Sequence, residues 1–141
     1  MKILYTAEAT TEKGRSGHVS TDTKTIDTPL SVPKELGGAG GDYTNPEELF
    51  AAGYSACYGS ALQHIADQRK IDLGDFTVTA VVSIGKTEEE EFELAVVLDT
   101  YLPGIETALA EELINEAHEV CPYSRATRDN IDVTLNLLLD E

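Results

Sequence analysis

The chain has 141 residues, of which 41% are apolar, and it carries a net charge of −16. This length favours a single domain spanning residues 1–141 that can bury a hydrophobic core. The negative charge repels phosphate backbones, so we expect no nucleic-acid partner. No apolar run approaches the ~20 residues of a membrane span, and the N-terminus lacks a secretory signal pattern. We therefore expect a soluble cytoplasmic protein without membrane contact.

Short β patterns and turns occupy the first third of the chain. Residues 2–10 and 18–26 predict two strands, joined by a glycine-containing turn with Arg15 at its tip. An exposed arginine on such a turn is ordinarily solvated, and it gains interest only if the turn folds over a site. An extended stretch at 28–34 leads into a glycine-rich segment, GGAGG, where the backbone can approach a ligand or another chain closely. The segment lacks the spacing of a phosphate-binding or dinucleotide-binding loop.

The longest helical pattern covers residues 44–69. Its start is capped either by Asn45, with Pro46 in the first helical position and Glu48 closing a capping box, or by Thr44 with Glu47. Small and apolar residues surround almost the whole helix, which predicts a central helix wrapped by sheet or buried at a subunit interface. The expected inner face comprises Leu49, Phe50, Ala52, Gly53, Ala56, Cys57, Ser60, Ala61, His64 and Ile65.

The remaining elements complete an α+β pattern. Residues 76–84 and 91–102 predict a pair of strands, and residues 105–120 predict a second helix that ends at Cys121-Pro122. A polar loop at 123–129 and a last strand at 130–138 follow. Runs of strand around two helices indicate an α+β fold with antiparallel sheets.

The two cysteines are the candidate reactive groups. Two cysteines in an intracellular chain do not form a disulfide scaffold, so they are either inert core residues or reactive thiols. Burial of Cys57 in an apolar helix would raise its pKa, so a reactive Cys57 needs a positive partner. No Lys or Arg precedes Arg69 in this helix. The candidates from elsewhere are Arg15, Lys34, Arg125 and Arg128.

Two further possibilities concern Glu47 as a partner of an arginine and the binding of a metal ion by the cysteines. Glu47 precedes Cys57 by about three helical turns, roughly 15 Å along the axis, so an arginine could bridge the two on one face. A zinc site would need both cysteines together with two histidines, but the spacings do not fit a zinc finger, so we expect no metal. The four residues of that alternative are Cys57, His64, His118 and Cys121.

Three separated segments resemble the OsmC/Ohr family of organic hydroperoxide resistance proteins. GGAGGDYTNPEELFAAGYSACY resembles the region around the family's first cysteine, CPYSRATRDNIDV the region around its second, and KGRSG its arginine loop. The likeness covers nearly the whole chain. It implies an intertwined α+β homodimer in which antiparallel sheets flank two central helices.

The resemblance also implies an activity and its residues. Family members are thiol peroxidases that reduce organic hydroperoxides, including fatty-acid-derived ones, to alcohols. Carried over by motif, Cys57 is the peroxidatic thiol, Cys121 the resolving thiol, Arg15 the group that stabilises the Cys57 thiolate, and Glu47 the group that holds Arg15. The implied reductant is an external dihydrolipoyl group, often on a lipoylated protein, with no bound cofactor. Apolar residues that could accept an alkyl tail are Leu36, Phe50 and Tyr123.

Some positions depart from the family pattern, and alternatives remain. Tyr43 stands where a small residue is usual, Glu48 where Gln is commoner, Tyr58 where Phe is commoner, and Asp129 where Gly is commoner. The alternatives are the OsmC branch, with the same chemistry on other substrates, and an apolar-ligand binding module with idle cysteines. A general disulfide oxidoreductase is a weaker alternative because such proteins usually carry a C-x-x-C motif.

Overall fold

The computed structural model describes residues 1–140. Contacts within the chain define two compact units, unit 1 at Met1–Leu49 and unit 2 at Phe50–Glu141. Helix α1 (Pro46–Gln68) begins in the first unit and continues into the second. In the described part of the chain, no helix is both long enough and apolar enough to cross a bilayer.

Unit 1 contains a small antiparallel sheet in the order β1-β2-β3. Its strands are β1 (Ala9–Glu12), β2 (His18–Thr21) and β3 (Asp27–Pro29). The predicted first strand is shifted, because residues 1–8 form no regular structure and expose apolar side chains such as Leu4 and Tyr5. The predicted second strand is shorter than expected, because the Thr21 amide donates to the Ile26 carbonyl and closes a turn.

The segment that leads into helix α1 is folded tightly on itself. A 3-10 turn at Lys34–Leu36 precedes the glycines, and the Gly38 amide donates to the Pro33 carbonyl. A Cβ atom at Gly38 would lie 2.3 Å from the Val32 carbonyl oxygen, so only glycine fits there. The close approach that the glycines permit is therefore to their own chain. Ser31 completes the segment, because its amide donates to the Thr44 carbonyl at 2.9 Å.

Unit 2 contains a three-stranded sheet in the order β4-β5-β6. Its elements after α1 are β4 (Thr77–Lys86), β5 (Phe92–Tyr101), α2 (Thr107–Val120), α3 (Pro122–Thr127) and β6 (Asp132–Leu138). Strands β4 and β5 are antiparallel as predicted, whereas β6 pairs parallel to β5. The expectation of purely antiparallel sheets is corrected here: two helices separate β5 from β6, and such a crossover returns the chain in the same direction.

Helix α3 is a second correction, because residues 123–129 were expected to be a loop. Pro122 is the first residue of α3, a position where proline needs no amide hydrogen and its fixed φ suits the helix. The same proline therefore ends α2 and begins α3. Buried hydroxyls at Ser124 and Thr127 explain why the polar sequence looked like a loop.

The core of unit 2 lies between α1, α2 and the sheet. The buried residues of α1 are Tyr54, Tyr58, Ala61, Leu62, Ile65 and Ala66, and they cluster with Val96 and Leu98 of β5 and with Leu113 and Ala117 of α2. The expected inner face is only partly correct. Ala52, Ala56, Ser60 and His64 are exposed in this chain, because the two tyrosine rings turn the opposite side of the helix inward.

Candidate active site

The start of helix α1 settles the capping alternatives. The Asn45 side-chain oxygen accepts the Glu48 amide at 2.8 Å, and Pro46 is the first helical residue. Glu48 does not close a capping box. Its carboxylate instead accepts the Thr44 hydroxyl at 3.0 Å. The carboxylate of Glu47 is thereby left for a different partner.

That partner is Arg15. Arg15 lies on a short 3-10 turn, Gly14–Ser16, between β1 and β2. Its two terminal nitrogens donate to the two carboxylate oxygens of Glu47 at 2.8 and 2.5 Å, the two-pronged geometry that a guanidinium favours. The side chain of Glu47 is 14% exposed and that of Arg15 is 38% exposed. The structure thus joins two of the residues singled out from the sequence.

The ion pair changes the acidity of both groups. The hydrogen bond from Arg15 lowers the pKa of Glu47, against the opposing effect of burial. The same hydrogen bond raises the pKa of Arg15 above its already high ordinary value. Both side chains therefore stay charged at neutral pH.

The two cysteines meet in unit 2. The Cys57 sulfur on α1 lies 3.4 Å from the Cys121 sulfur, which sits at the junction of α2 and α3. Both are free thiols, Cys57 partly exposed and Cys121 fully buried. Their separation of 64 positions in the sequence is closed by the packing of α1 against α2.

The surroundings of Cys57 favour its neutral form. Burial is the largest effect and raises the pKa of the Cys57 thiol, and the neighbouring Cys121 adds to the rise. The backbone amide of Tyr123 donates toward the Cys57 sulfur and lowers the pKa, but by less than burial raises it. These contacts place the sulfurs together without ionising Cys57. An additional positive charge is needed to make a thiolate at neutral pH.

Two tyrosines that the sequence reasoning left out of the site anchor the elements around the cysteines. The Tyr54 hydroxyl pairs with the hydroxyls of Ser124 at 2.8 Å and Thr127 at 3.1 Å, and both rings of Tyr54 and Tyr58 are fully buried. The Tyr58 hydroxyl donates to the Ile114 carbonyl at 2.7 Å. The sequence signal that could have identified the two tyrosines is their position close to Cys57.

Three aromatic side chains form a cluster in unit 2. Phe50, Tyr54 and Tyr123 contact one another with ring centroids 5.8 to 6.2 Å apart. A Cβ atom at Gly53 would lie 3.1 Å from the Tyr123 hydroxyl oxygen, so the glycine makes room for that ring. Two of the three residues expected to contact substrate, Phe50 and Tyr123, are therefore together. Leu36, the third, is half-buried in the 3-10 turn of unit 1.

Metal ligation was the other chemistry that the cysteines raised. Within residues 1–140, no three His, Cys, Asp or Glu side chains are grouped so that they could hold a metal ion.

Comparison with known proteins agrees with these observations. A family model described as OsmC-like protein matches residues 38–136. The chain belongs to the OsmC/Ohr family. It is 50% identical, over 96% of both chains, to a protein from Xanthomonas axonopodis pv. citri named organic hydroperoxide resistance protein.

Solved structures show the same family likeness. The crystal structure of an organic hydroperoxide resistance protein from Elizabethkingia anophelis matches with a TM-score of 0.93 and 50% identity, covering 99% of this chain and all of that one. A counterpart from Legionella pneumophila gives a TM-score of 0.92 and 48% identity, covering 98% of this chain and all of that one. These matches confirm the predicted OsmC-like α+β fold.

Proposed function

We propose that this protein is a thiol peroxidase that reduces organic hydroperoxides to alcohols. The observation that supports the proposal most directly is the 3.4 Å separation of the Cys57 and Cys121 sulfurs, in a chain of the OsmC/Ohr family. A relative that is 50% identical bears the name organic hydroperoxide resistance protein, which fits this substrate class.

The proposed cycle uses both cysteines. The Cys57 thiolate attacks the terminal oxygen of ROOH, the O–O bond breaks, and the alkoxide leaves as ROH after taking up a proton. Cys57 is now a sulfenic acid. The Cys121 sulfur attacks it, forming the S–S bond and releasing water, so that one peroxide has oxidised two thiols to one disulfide.

Arg15 is the positive group that we assign to the Cys57 thiolate. Burial alone raises the pKa of Cys57, and helix α1 offers no cation of its own before Arg69. Arg15 is held by Glu47, a residue in the first turn of the helix that carries Cys57. Glu47 is then a positioning residue that acts through Arg15, and the carboxylate keeps the guanidinium from adopting other rotamers.

The alkyl tail of the substrate is assigned to apolar side chains. Phe50 and Tyr123 already contact each other, and the amide of Tyr123 faces the Cys57 sulfur. Leu36 would supply a third apolar contact. Aromatic and aliphatic walls with few polar groups suit a hydrocarbon chain.

Recycling requires a dithiol and, we propose, a homodimer. A dihydrolipoyl group, free or on a lipoylated protein, would reduce the disulfide by exchange, its two thiols becoming the cyclic lipoyl disulfide. A reducing compartment such as the cytoplasm sustains that exchange. Exposed apolar side chains at Ile3, Leu4 and Tyr5, with the exposed Ala52 and Ala56 of α1, support burial against a second copy.

Intact mass spectrometry after one equivalent of cumene hydroperoxide tests the proposal. The wild-type chain should lose two hydrogens, whereas the Cys121→Ser variant should gain one oxygen. No mass change in either protein would contradict the peroxidase proposal and favour an apolar-ligand binding module with idle thiols. Addition of dihydrolipoamide should restore the reduced mass of the wild type.

A further inference from the structure

Two tyrosine hydroxyls flank Cys57 on helix α1. Tyr54 precedes Cys57 by three residues and Tyr58 follows it directly. Both tyrosines have no exposed surface, and both hydroxyls have hydrogen-bond partners. Unpaired hydroxyls at such depth would be unfavourable, so these bonds are a fixed part of the packing.

The partners lie on the two helices that meet at Cys121. Tyr54 binds the hydroxyls of Ser124 and Thr127, both on α3. Tyr58 donates to the Ile114 carbonyl on α2. Cys121 is the one residue between α2 and α3, in an extended conformation with φ −60° and ψ 124°.

The backbone of Cys121 is itself fixed by both helices. Its amide donates to the Ala117 carbonyl of α2, and its carbonyl accepts the Arg125 amide of α3, each at 2.9 Å. Movement of either helix therefore moves the Cys121 sulfur. The two tyrosines connect each helix to the turn of α1 that carries the Cys57 sulfur.

We propose that Tyr54 and Tyr58 are positioning residues that hold the Cys121 sulfur in line with the Cys57 sulfur for disulfide formation. Tyr54 fixes α3, Tyr58 fixes α2, and together they determine where the junction places Cys121. The inference rests on the proposed function only in assigning the Cys57–Cys121 disulfide to a catalytic cycle.

Packing alone does not require these hydroxyls. A phenylalanine ring fills almost the same buried volume without the hydroxyl. Burial also raises the pKa of Tyr58, so its hydroxyl remains a neutral donor at physiological pH. The hydroxyls therefore act by the directed hydrogen bonds that they make, and not by charge or by side-chain volume.

The experiment measures the equilibrium between the protein and dithiothreitol. In this exchange the protein dithiol gives two electrons and two protons to oxidised dithiothreitol, so the disulfide fraction reports how well the sulfurs are placed. Wild type is compared with Tyr54→Phe, Tyr58→Phe and the double variant. The matched control is Tyr101→Phe, because the Tyr101 hydroxyl bonds to Asp140, which belongs to neither α2 nor α3.

We expect the equilibrium constant for disulfide formation to fall about tenfold in Tyr54→Phe, which corresponds to a reduction potential about 30 mV higher. Tyr58→Phe should show a smaller fall, because it loses one partner where Tyr54→Phe loses two. The control should match wild type. If Tyr54→Phe does not fold, Ser124→Ala removes one of the same bonds and should shift the potential in the same direction.

Urea unfolding of the oxidised and reduced forms separates positioning from a merely structural role. Positioning predicts that the Tyr54→Phe change destabilises the oxidised form more than the reduced form. An unchanged reduction potential with equal destabilisation of both forms would overturn the inference, and so would a lower reduction potential. If wild type itself forms no intramolecular disulfide, the proposed function fails as well, and that outcome is recognisable before any variant is made.

Discussion

The Arg15–Glu47 ion pair of unit 1 and the Cys57–Cys121 pair of unit 2 are built in opposite ways. The ion pair is charged, partly exposed and held by two direct hydrogen bonds from a short turn. The cysteine pair is largely buried and is held by the packing of helices around it. Each arrangement suits one half of a thiol reaction. A nearby charge changes the pKa of a thiol, whereas packing brings two sulfurs together.

In the proposed function, the proximity of the two sulfurs and the reactivity of Cys57 come from separate parts of the sequence. Burial places the two sulfurs 3.4 Å apart, and the same burial raises the pKa of Cys57. A site made only of unit 2 residues would therefore form a disulfide readily but attack a peroxide slowly. In the proposed function, Arg15 supplies the positive charge that offsets this rise in the pKa of Cys57.

Removing a sulfur should have the largest effect. Cys57→Ser should abolish consumption of cumene hydroperoxide, because serine is a far weaker nucleophile at neutral pH. Cys121→Ser should consume about one peroxide per chain and then stop, since the sulfenic acid has no resolving thiol. Peroxide consumed per chain, measured against time, distinguishes the two. Full turnover by Cys57→Ser would rule out the proposed cycle.

Removing the guanidinium should leave the sulfurs in place but slow the first step. We expect Arg15→Ala to reduce the rate of Cys57 alkylation by iodoacetamide at pH 7 by about 10–100-fold, because the proposed function pairs Arg15 with the thiolate and such a pairing ordinarily shifts a pKa by 1–3 units. Stability should change by less than about 1 kcal/mol, because the Arg15 side chain is partly solvated.

Arg69→Ala provides a matched control for Arg15→Ala. Arg69 also binds two carboxylates, those of Glu112 and Glu116, each at 3.1 Å. It lies about 18 Å from Cys57 along the helix axis, at 1.5 Å per residue. Its loss should not change the alkylation rate. Equal slowing by both substitutions would point to the overall charge of the chain and against a specific role for Arg15.

Neutralising Glu47 should change how stability depends on pH. The pKa of Glu47 is lowered from its ordinary 4.5 in the fold, so the folded state binds this proton more weakly than the unfolded state. The resulting stabilisation is complete above pH 4.5 and is lost as the pH falls through the lower folded value. Glu47→Gln should abolish this contribution, which is about 1 kcal/mol or less because Arg15 is partly exposed.

Urea unfolding between pH 3 and pH 7 measures that contribution. Glu112→Gln is the control, because it removes the same charge from an exposed partner of Arg69. An acid limb that is unchanged in Glu47→Gln would show that the ion pair does not stabilise the fold.

The features that could be predicted from the sequence are those that depend on neighbouring residues. The start of α1 could be narrowed to two caps, Asn45 and Thr44, because capping depends only on neighbouring residues, and the structure selects Asn45. Strands β4 and β5 were recognisable from their long runs of β-forming residues. The motifs at Cys57 and Cys121 predicted the family and fold, which the comparisons confirm.

The remaining features depend on partners far apart in the chain. Ser124 and Thr127 are buried in α3 with their hydroxyls bonded to Tyr54, about 70 positions earlier, a pairing that no local pattern records. The direction of β6 depends on how α2 and α3 cross the sheet, which no local pattern records. The prediction of the buried face of α1 was wrong for the same reason. A buried tyrosine usually needs a hydrogen-bond partner for its hydroxyl, and the partners of these tyrosines are far away in the sequence.

The smallest predicted effect concerns Asp129, one of the departures from the family pattern. Asp129 has φ 61°, in the left-handed region that glycine adopts without strain and that other residues adopt at a cost. Asp129→Gly should therefore stabilise unit 2 by roughly 0.5 kcal/mol, the strain relieved being partly offset by the greater backbone freedom of glycine when unfolded. Asp129→Ala, which keeps the strain and loses the side chain's local hydrogen-bonding capacity, should be destabilising. Because Asp129 follows α3 and lies outside both pairs, neither variant should alter the alkylation rate of Cys57. A changed rate would mean that the end of α3 also controls the placement of the sulfurs.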